Sequence, residues 1–337
     1  MSANDIKGEG IKLMKRKILA YNFEFSETLD HLRESFDVEI FQAINPKTDP
    51  SFLQALKQAE GIVGLALPVD KELLDSAPNL KIVSNNSTGF NNLSIDEMTK
   101  RGVMGTNTPG VLEDTTADAI FGILLAAARR IPELDQFVKT GKWKHYLTRN
   151  EYAIDVHHKT LGIIGMGKIG SLIAKRAHFG FDMNILYHNR TRNHEAEENY
   201  NAVYCPLDRL LEESDFVCLM TPLTAETENL MGEREFKLMK TSAIFVNGSR
   251  GKTVDEKALI EAIKNKEIHG AALDVFQFEP VKADHPLLQF PNVVTTPHIG
   301  SSTFETEIKM AKRAVENLEA GLNGNRPKNL INPEVLG

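Results

Sequence analysis

The stretch Thr160-Leu-Gly-Ile-Ile-Gly-Met-Gly-Lys-Ile-Gly170 constrains the fold of this chain more than any other. Thr160–Ile164 is a short, mostly apolar run suited to a buried parallel strand. Gly165, Gly167 and Gly170 follow in the spacing G-x-G-x-x-G, and from Ser171 to His178 apolar residues recur at helical spacing. Gly180 can end that helix, and Phe181–Asn189 is a second strand candidate. A strand, glycine turn, helix and strand in this order form a dinucleotide-binding unit. The first glycine permits the tight turn, the second lets a pyrophosphate approach the backbone, and the third lets helix pack on strand. The helix N-terminus then offers N–H groups and partial positive charge to the phosphates. Gly165, Met166, Gly167, Lys168, Ile169 and Gly170 are therefore the expected core of a cofactor site.

The 337 residues exceed what one core usually serves, so two domains are expected. A net charge of −7 argues against nucleic acid or an anionic membrane as the main partner. Cys205 and Cys218 are the only cysteines and neither sits in a metal-ligand pattern, so neither a disulfide framework nor a metal site is expected; a reduced, cytoplasmic setting fits. No secretory signal or membrane-spanning run is visible, and the polar leader Met1–Met14 is expected to be poorly ordered.

Before the glycine turn, strand candidates at Arg16–Tyr21, Gly61–Leu67, Lys81–Ser84 and Val103–Thr106 alternate with helix candidates at Ser26–Ser35, with Ser26 as N-cap, and Lys71–Ala77. This alternation predicts a small open α/β domain. Asn107-Thr-Pro-Gly110 reads as its boundary. Asp114–Arg130 is a long helix capped by Asp114 or Thr115, and 141–158 is irregular and polar. After the glycine turn, strands are expected at Phe216–Met220, Ala243–Asn247, Gly270–Val275 and Val293–Thr296, with a closing helix over Thr303–Gly321.

Three later stretches place polar groups just past an expected strand, the end at which doubly wound sheets bind ligands. They are Asn247–Glu256, which holds Arg250, Gly270–Pro280, which holds Asp274 and Glu279, and Asn292–Ser302, which holds His298. Alone, Arg250 reads as well as a surface arginine, Glu279 as a solvated loop acid and His298 as a structural histidine. Together they match a hydride-transfer site. His298 could protonate a carbonyl oxygen, Glu279 would favour its imidazolium, and the planar guanidinium of Arg250 could hold a substrate carboxylate. Asp274 ends an apolar strand, where an unpaired carboxylate would be costly. Asp274, Thr221 and Pro222 complete the expected cofactor contacts.

Gly165-Met-Gly-Lys-Ile-Gly170, Asn247-Gly-Ser-Arg-Gly251, Leu273–Pro280 and Pro297-His-Ile-Gly300 also resemble the D-isomer-specific 2-hydroxyacid dehydrogenases, tightly from about Ile82 to Thr303. The resemblance implies an Arg250–Glu279–His298 catalytic trio. It also implies an α/β chain of two doubly wound domains, a Rossmann-type cofactor domain (108–299) inserted into a flavodoxin-like substrate domain (1–107 and 300–337), and a homodimer. Ser84–Asn92 resembles the loop whose backbone N–H groups hold the substrate carboxylate, with Thr88 and Gly89 at those positions; Arg250 and His298 are the other expected substrate contacts. The runs Leu186–Arg192 and Ser214–Leu223 resemble the glyoxylate/hydroxypyruvate and 2-ketogluconate reductase branch.

An NAD site usually places a carboxylate at the end of its second strand to bind the ribose hydroxyls. Here that position is His188, and Asn189, Arg190 and Arg192 follow it. Missing repulsion and gained cations predict NADP as cofactor, with NAD as the alternative. The competing readings are a lactate- or phosphoglycerate-type NAD enzyme and, in a different class, a nucleotide-sensing corepressor. No substantial chain follows the last helix to form a regulatory domain, and Glu279 disfavours the formate dehydrogenase branch, which pairs its histidine with glutamine.

Overall fold

The computed structural model describes residues 15–337; the leader Met1–Met14 lies outside the described residues. The chain divides into two compact units, Met1–Val111 with Glu307–Gly337, and Leu112–Thr306. The division falls a few residues past both expected breaks.

In the first unit β1 (Lys17–Tyr21), α1 (Ser26–Ser35), β2 (Asp37–Phe41), α2 (Pro50–Leu56), β3 (Ala59–Gly64), α3 (Lys71–Asp75), β4 (Ile82–Asn85), α4 (Ile95–Lys100) and β5 (Met104–Thr106) alternate. The strands form one parallel sheet in the order β2-β1-β3-β4-β5, a doubly wound arrangement. Successive residues of β1 serve opposite faces. Leu19 and Tyr21 join Phe41, Phe52 and Val83, whereas Ile18 and Ala20 join Leu32, Ile82 and Leu318.

The second unit runs α5 (Glu113–Ala128), α6 (Ile131–Lys139), β6 (Thr160–Ile164), α7 (Lys168–Phe181), β7 (Asn184–His188), α8 (His194–Tyr200), β8 (Val203–Tyr204), α9 (Leu207–Glu213), β9 (Phe216–Leu219), α10 (Glu233–Leu238), β10 (Ile244–Asn247), α11 (Glu256–Lys264), β11 (Gly270–Leu273) and β12 (Val293–Thr295). Its parallel sheet has the order β12-β11-β10-β9-β6-β7-β8. The strand order therefore reverses between β6 and β9, the point beyond whose carboxyl ends doubly wound sheets bind their ligands. Phe216 and Cys218 face one core while Val217 and Leu219 face the other. Both faces are covered, so the strands read as unbroken apolar runs. A final helix, α12 (Phe304–Leu322), packs Ala311, Val315 and Leu318 on the first sheet. No helix among the described residues is long and apolar enough to cross a membrane.

Several expected helix ends moved. Gly180 does not end α7, which continues to Phe181 and closes at Asp182 in the left-handed region, φ 49°. Burial of Ile173, Ala174 and Ala177 outweighs the helix cost of one exposed-side glycine, about 1 kcal/mol. Ser26 is the first helical residue of α1, after Phe25 at the cap position. Asp114 and Thr115 lie inside the first turn of α5, which starts after Leu112; Asp114 instead pairs with Arg176 at 3.1 Å. The elements β2, β8, α2 and α8, of two to seven residues, are too short for an apolar period to stand out in the sequence. Arg130, at φ 53°, breaks the long helix and starts α6.

Candidate active site

The glycine turn joins β6 to α7 at the reversal of strand order. Gly165 has φ 103°, and a Cβ there would lie 2.7 Å from the Met220 carbonyl carbon, so only glycine fits. Around Gly167 nothing lies within 4 Å of such a Cβ, which leaves the backbone open to a ligand. A Cβ on Gly170 would meet the Gly165 carbonyl oxygen at 2.4 Å, so helix and turn pack backbone to backbone. No side chain caps α7, and no acid sits in its first turn. Its first N–H groups thus remain suited to an anion. Met166 is buried, Ile169 half-buried and Lys168 exposed. Past β9, Thr221 Oγ1 is buried without a partner, and the Pro222 carbonyl accepts from Thr227 Oγ1 at 2.6 Å.

In the loop after β7 the polar side chains have different partners. Asn189 is not a free phosphate donor: its Oδ1 accepts from Met166 N at 2.7 Å and its Nδ2 donates to Met166 O at 3.2 Å, bracketing the glycine turn. Arg192 is held by Glu197 through two bonds of 2.9 Å. Glu197 also accepts from Tyr187 Oη at 2.5 Å, and these bonds, Arg192's first, hold its carboxyl at about 2. Arg190 is exposed and has no ion pair among the described residues; its positive charge is felt by Glu226. His188 Nδ1 lies 3.1 Å from the Cys205 carbonyl, and its ring is near parallel to Tyr204.

The three expected catalytic side chains sit in loops after β10, β11 and β12. A Cβ on Gly251 would fall 1.8 Å from the Phe276 carbonyl carbon, so glycine alone lets the Arg250 loop touch the Glu279 loop backbone to backbone. Arg250 is half-buried and donates from Nη1 to the Ser249 carbonyl at 2.7 Å, with no carboxylate within ion-pair distance among the described residues. Burial pushes its pKa down, opposed by the charge of Glu279. Glu279 Oε1 accepts from Phe276 N at 3.0 Å, and Oε2 accepts from His298 Nδ1 at 2.7 Å. Burial is the largest single influence on Glu279 and opposes its ionisation. The bonds from His298 and Phe276 and the charges of His298 and Arg250 together outweigh it, and the carboxyl lies below its ordinary range. Because a carboxylate only accepts, Nδ1 carries a proton and Nε2 is left facing outward.

Asp274, expected among the cofactor contacts, is buried and both of its carboxylate oxygens accept hydrogen bonds. Oδ1 accepts from Thr296 Oγ1 at 2.6 Å and from Ile299 N at 2.8 Å, and Oδ2 accepts from Gly300 N at 3.0 Å. Its oxygens are engaged by the turn that bears His298.

In the first unit, the Thr88 carbonyl accepts from Asn107 Nδ2 at 2.7 Å and the Gly89 carbonyl from Asn85 Nδ2 at 2.8 Å. In a trans peptide the N–H points opposite to the C=O, so holding the Thr88 carbonyl sets the direction of the Gly89 N–H. Asn86 Oδ1 and Thr108 Oγ1, which sequence reasoning passed over, are buried here without partners.

Residues 121–300 match the family model described as D-isomer specific 2-hydroxyacid dehydrogenase, NAD binding domain. The chain belongs to this family. It is an NAD(P)-dependent 2-hydroxyacid dehydrogenase. Over 322 residues it is 47% identical to a glyoxylate/hydroxypyruvate reductase B of Klebsiella pneumoniae, spanning 96% of this chain and 100% of that one. A protein of the same name from Escherichia fergusonii is 48% identical, spanning 96% and 99%. Among solved structures, an NADPH-dependent glyoxylate/hydroxypyruvate reductase from Sinorhizobium meliloti, in complex with NADP and malonate, superposes with a TM-score of 0.84 at 29% identity, over 95% of this chain and 98% of that one. The glycine turn of this dehydrogenase fits a dinucleotide on its own geometry, by the open Gly167 backbone and the uncapped start of α7.

Proposed function

We propose that this dehydrogenase reduces glyoxylate to glycolate and hydroxypyruvate to the D-2-hydroxy acid, with NADPH preferred over NADH. The observation that carries the reading is the His298–Glu279 bond of 2.7 Å beside an arginine that has no carboxylate partner. Arg250 is half-buried and poorly hydrated, so a substrate carboxylate would supply the anion its surroundings lack. His298 holds the proton that the carbonyl oxygen takes up, outward on Nε2. Glu279 orients the ring through Nδ1. Thr88 and Gly89 would bind the substrate carboxylate by backbone N–H groups. The cofactor, when bound, supplies the hydride; Gly165–Gly170, Thr221 and Pro222 would hold it. Arg190 would pair with the 2′-phosphate, and His188, uncharged where an NAD site has an acid, would not repel it.

The relatives' names support the substrate choice, and 2-ketogluconate remains the larger alternative. The test is kcat/KM for glyoxylate, hydroxypyruvate, pyruvate and 2-ketogluconate, each with NADPH and NADH. Glyoxylate and hydroxypyruvate with NADPH should rank first. A protein that binds dinucleotide but turns over none of the four would instead act as a sensor.

The reading includes a homodimer in the cytoplasm. α6 buries none of its residues, and Ile131, Val138, Trp143, Tyr146 and Tyr152 are exposed along one stretch, which a second copy would cover. Cys205 and Cys218 are buried free thiols, as a reducing compartment allows, and burial pushes Cys218 up to about 12. Sedimentation at micromolar concentration should give twice the chain mass of 37.6 kDa; a monomer there would remove the dimer.

A further inference from the structure

The loop after β10 bears Arg250 and runs into α11, and the loop after β11 bears Glu279. Glu256, the first residue of α11, joins the two. It does not cap the helix, because Asp255 Oδ1 accepts from Lys257 N at 3.0 Å and from Ala258 N at 3.3 Å. The Glu256 side chain is 13% exposed and pairs with no lysine or arginine among the described residues, so its oxygens need other donors. Oε1 accepts from Gln277 N at 2.7 Å, and Oε2 lies 3.4 Å from His285 Nε2. His285 Nδ1 accepts from Leu287 N at 3.4 Å, so the neutral ring carries its proton on Nε2, toward Glu256. The same ring meets Phe276 edge to face, with centroids 6.1 Å apart.

Two consecutive N–H groups of the Glu279 loop are thus taken by two different carboxylates. Phe276 N donates to Glu279 Oε1 at 3.0 Å, and Gln277 N to Glu256 Oε1. Gln277 Nε2 adds a bond to the Val254 carbonyl at 2.9 Å, and the close approach of Gly251 to Phe276 adds backbone packing. Of the two bonds that Gln277 sends across to the Arg250 loop and α11, only the one to Glu256 has a carboxylate as acceptor, the stronger kind.

We propose that Glu256 is a positioning residue that fixes the spacing of Arg250 and Glu279, with His285 steadying its second oxygen. The inference rests on the proposed function, in which Arg250 holds the substrate carboxylate and Glu279 orients His298. The role needs reach rather than charge. Glu256→Gln keeps an acceptor at the same length for Gln277 N, whereas Glu256→Asp keeps the charge and withdraws it by one C–C bond, about 1.5 Å.

The test measures kcat and KM for hydroxypyruvate at saturating NADPH in Glu256→Asp, Glu256→Gln and Arg250→Lys, with the NADPH dissociation constant read from the fluorescence of the bound nucleotide. Glu256→Asp should lower kcat/KM by roughly 10–100-fold, in both kcat and KM because both loops shift, and leave the NADPH dissociation constant within about threefold. Glu256→Gln should stay within about threefold of the parent. Combining Glu256→Asp with Arg250→Lys should give less than the product of the two losses, because both displace the same guanidinium. His285→Phe keeps a ring against Phe276 and removes the Nε2 proton. It should act in the same direction by roughly 3–10-fold, and it decides the question if Glu256→Asp does not fold. A Glu256→Gln as impaired as Glu256→Asp would trace the effect to charge and overturn the inference, as would weakened NADPH binding with kcat unchanged. A fully active Glu256→Asp beside an impaired Arg250→Lys would overturn it alone. An unimpaired Arg250→Lys would overturn the reading of Arg250 and this inference with it.

Discussion

Arg250 and Arg192 both lie in loops past the carboxyl ends of strands in the same sheet, and the fold treats them oppositely. Arg192 is exposed, yet Glu197 grips it through two bonds of 2.9 Å. Arg250 is half-buried, yet no carboxylate reaches it; its nearest negative charge, Glu279, is engaged by His298 and Phe276 N. Availability of a cation therefore depends on where the acids are committed, not on its exposure. The contrast supports the proposed substrate role for Arg250 and ties Arg192 to local structure, while Arg190, two positions away, has no ion pair among the described residues.

The contrast breaks most visibly at the histidine that occupies Glu279. His298→Ala should cut kcat by about 10²–10⁴-fold, the range of a lost general acid, with NADPH binding largely kept. Steady-state kinetics with nucleotide titration checks this, and a variant with most of its turnover would leave Glu279 free to pair with Arg250 and dissolve the distinction.

Next in size is the arginine pair itself. Arg250→Lys keeps the charge and loses the planar fork, so KM for the keto acid should rise and kcat fall, together by roughly 10–100-fold in kcat/KM. Arg192→Lys should change neither parameter by more than about twofold, since its partner is Glu197. Equal effects from the two substitutions would erase the difference.

Arg190→Ala should weaken NADPH by about 10–100-fold and leave NADH nearly unchanged, as one charge-assisted phosphate contact predicts. Adding His188→Asp should turn the preference toward NADH by restoring the repulsive carboxylate. A parent enzyme that favours NADH in kcat/KM would show that this loop does not hold the phosphate.

The smallest effect belongs to Glu197 and concerns stability. Its carboxyl is lowered from 4.5 to about 2 by Arg192 first and Tyr187 second. A group depressed on folding stabilises the native state above its unfolded value and loses that contribution as pH falls through the folded one. The parent should therefore lose stability between about pH 4.5 and 2, and Glu197→Gln should flatten that slope slightly in acid melting curves. An unchanged slope would mean that Arg192 is not held in solution as it is here.

Much of this was legible in the sequence because it depends on neighbours along the chain. The glycine spacing at 165, 167 and 170, the alternation of apolar runs with helices, and the motifs bearing Arg250, Glu279 and His298 are local patterns. Each is tied to one strand end, and β6, β10 and β11 stand out as apolar runs buried on both faces. The absent acid at His188 is likewise a single-position signal. What local pattern could not carry was commitment between distant residues. That Asn189 brackets Met166, that Glu197 holds Arg192, and that Asp274 bonds the turn bearing His298 are facts of partnership across 23, 5 and 22 positions at the closest bonds. A polar side chain in a sequence shows its capacity to bond. Only the tertiary structure decides which partner meets it first, because buried donors and acceptors must be satisfied and the packing of the sheet fixes which of them come within reach.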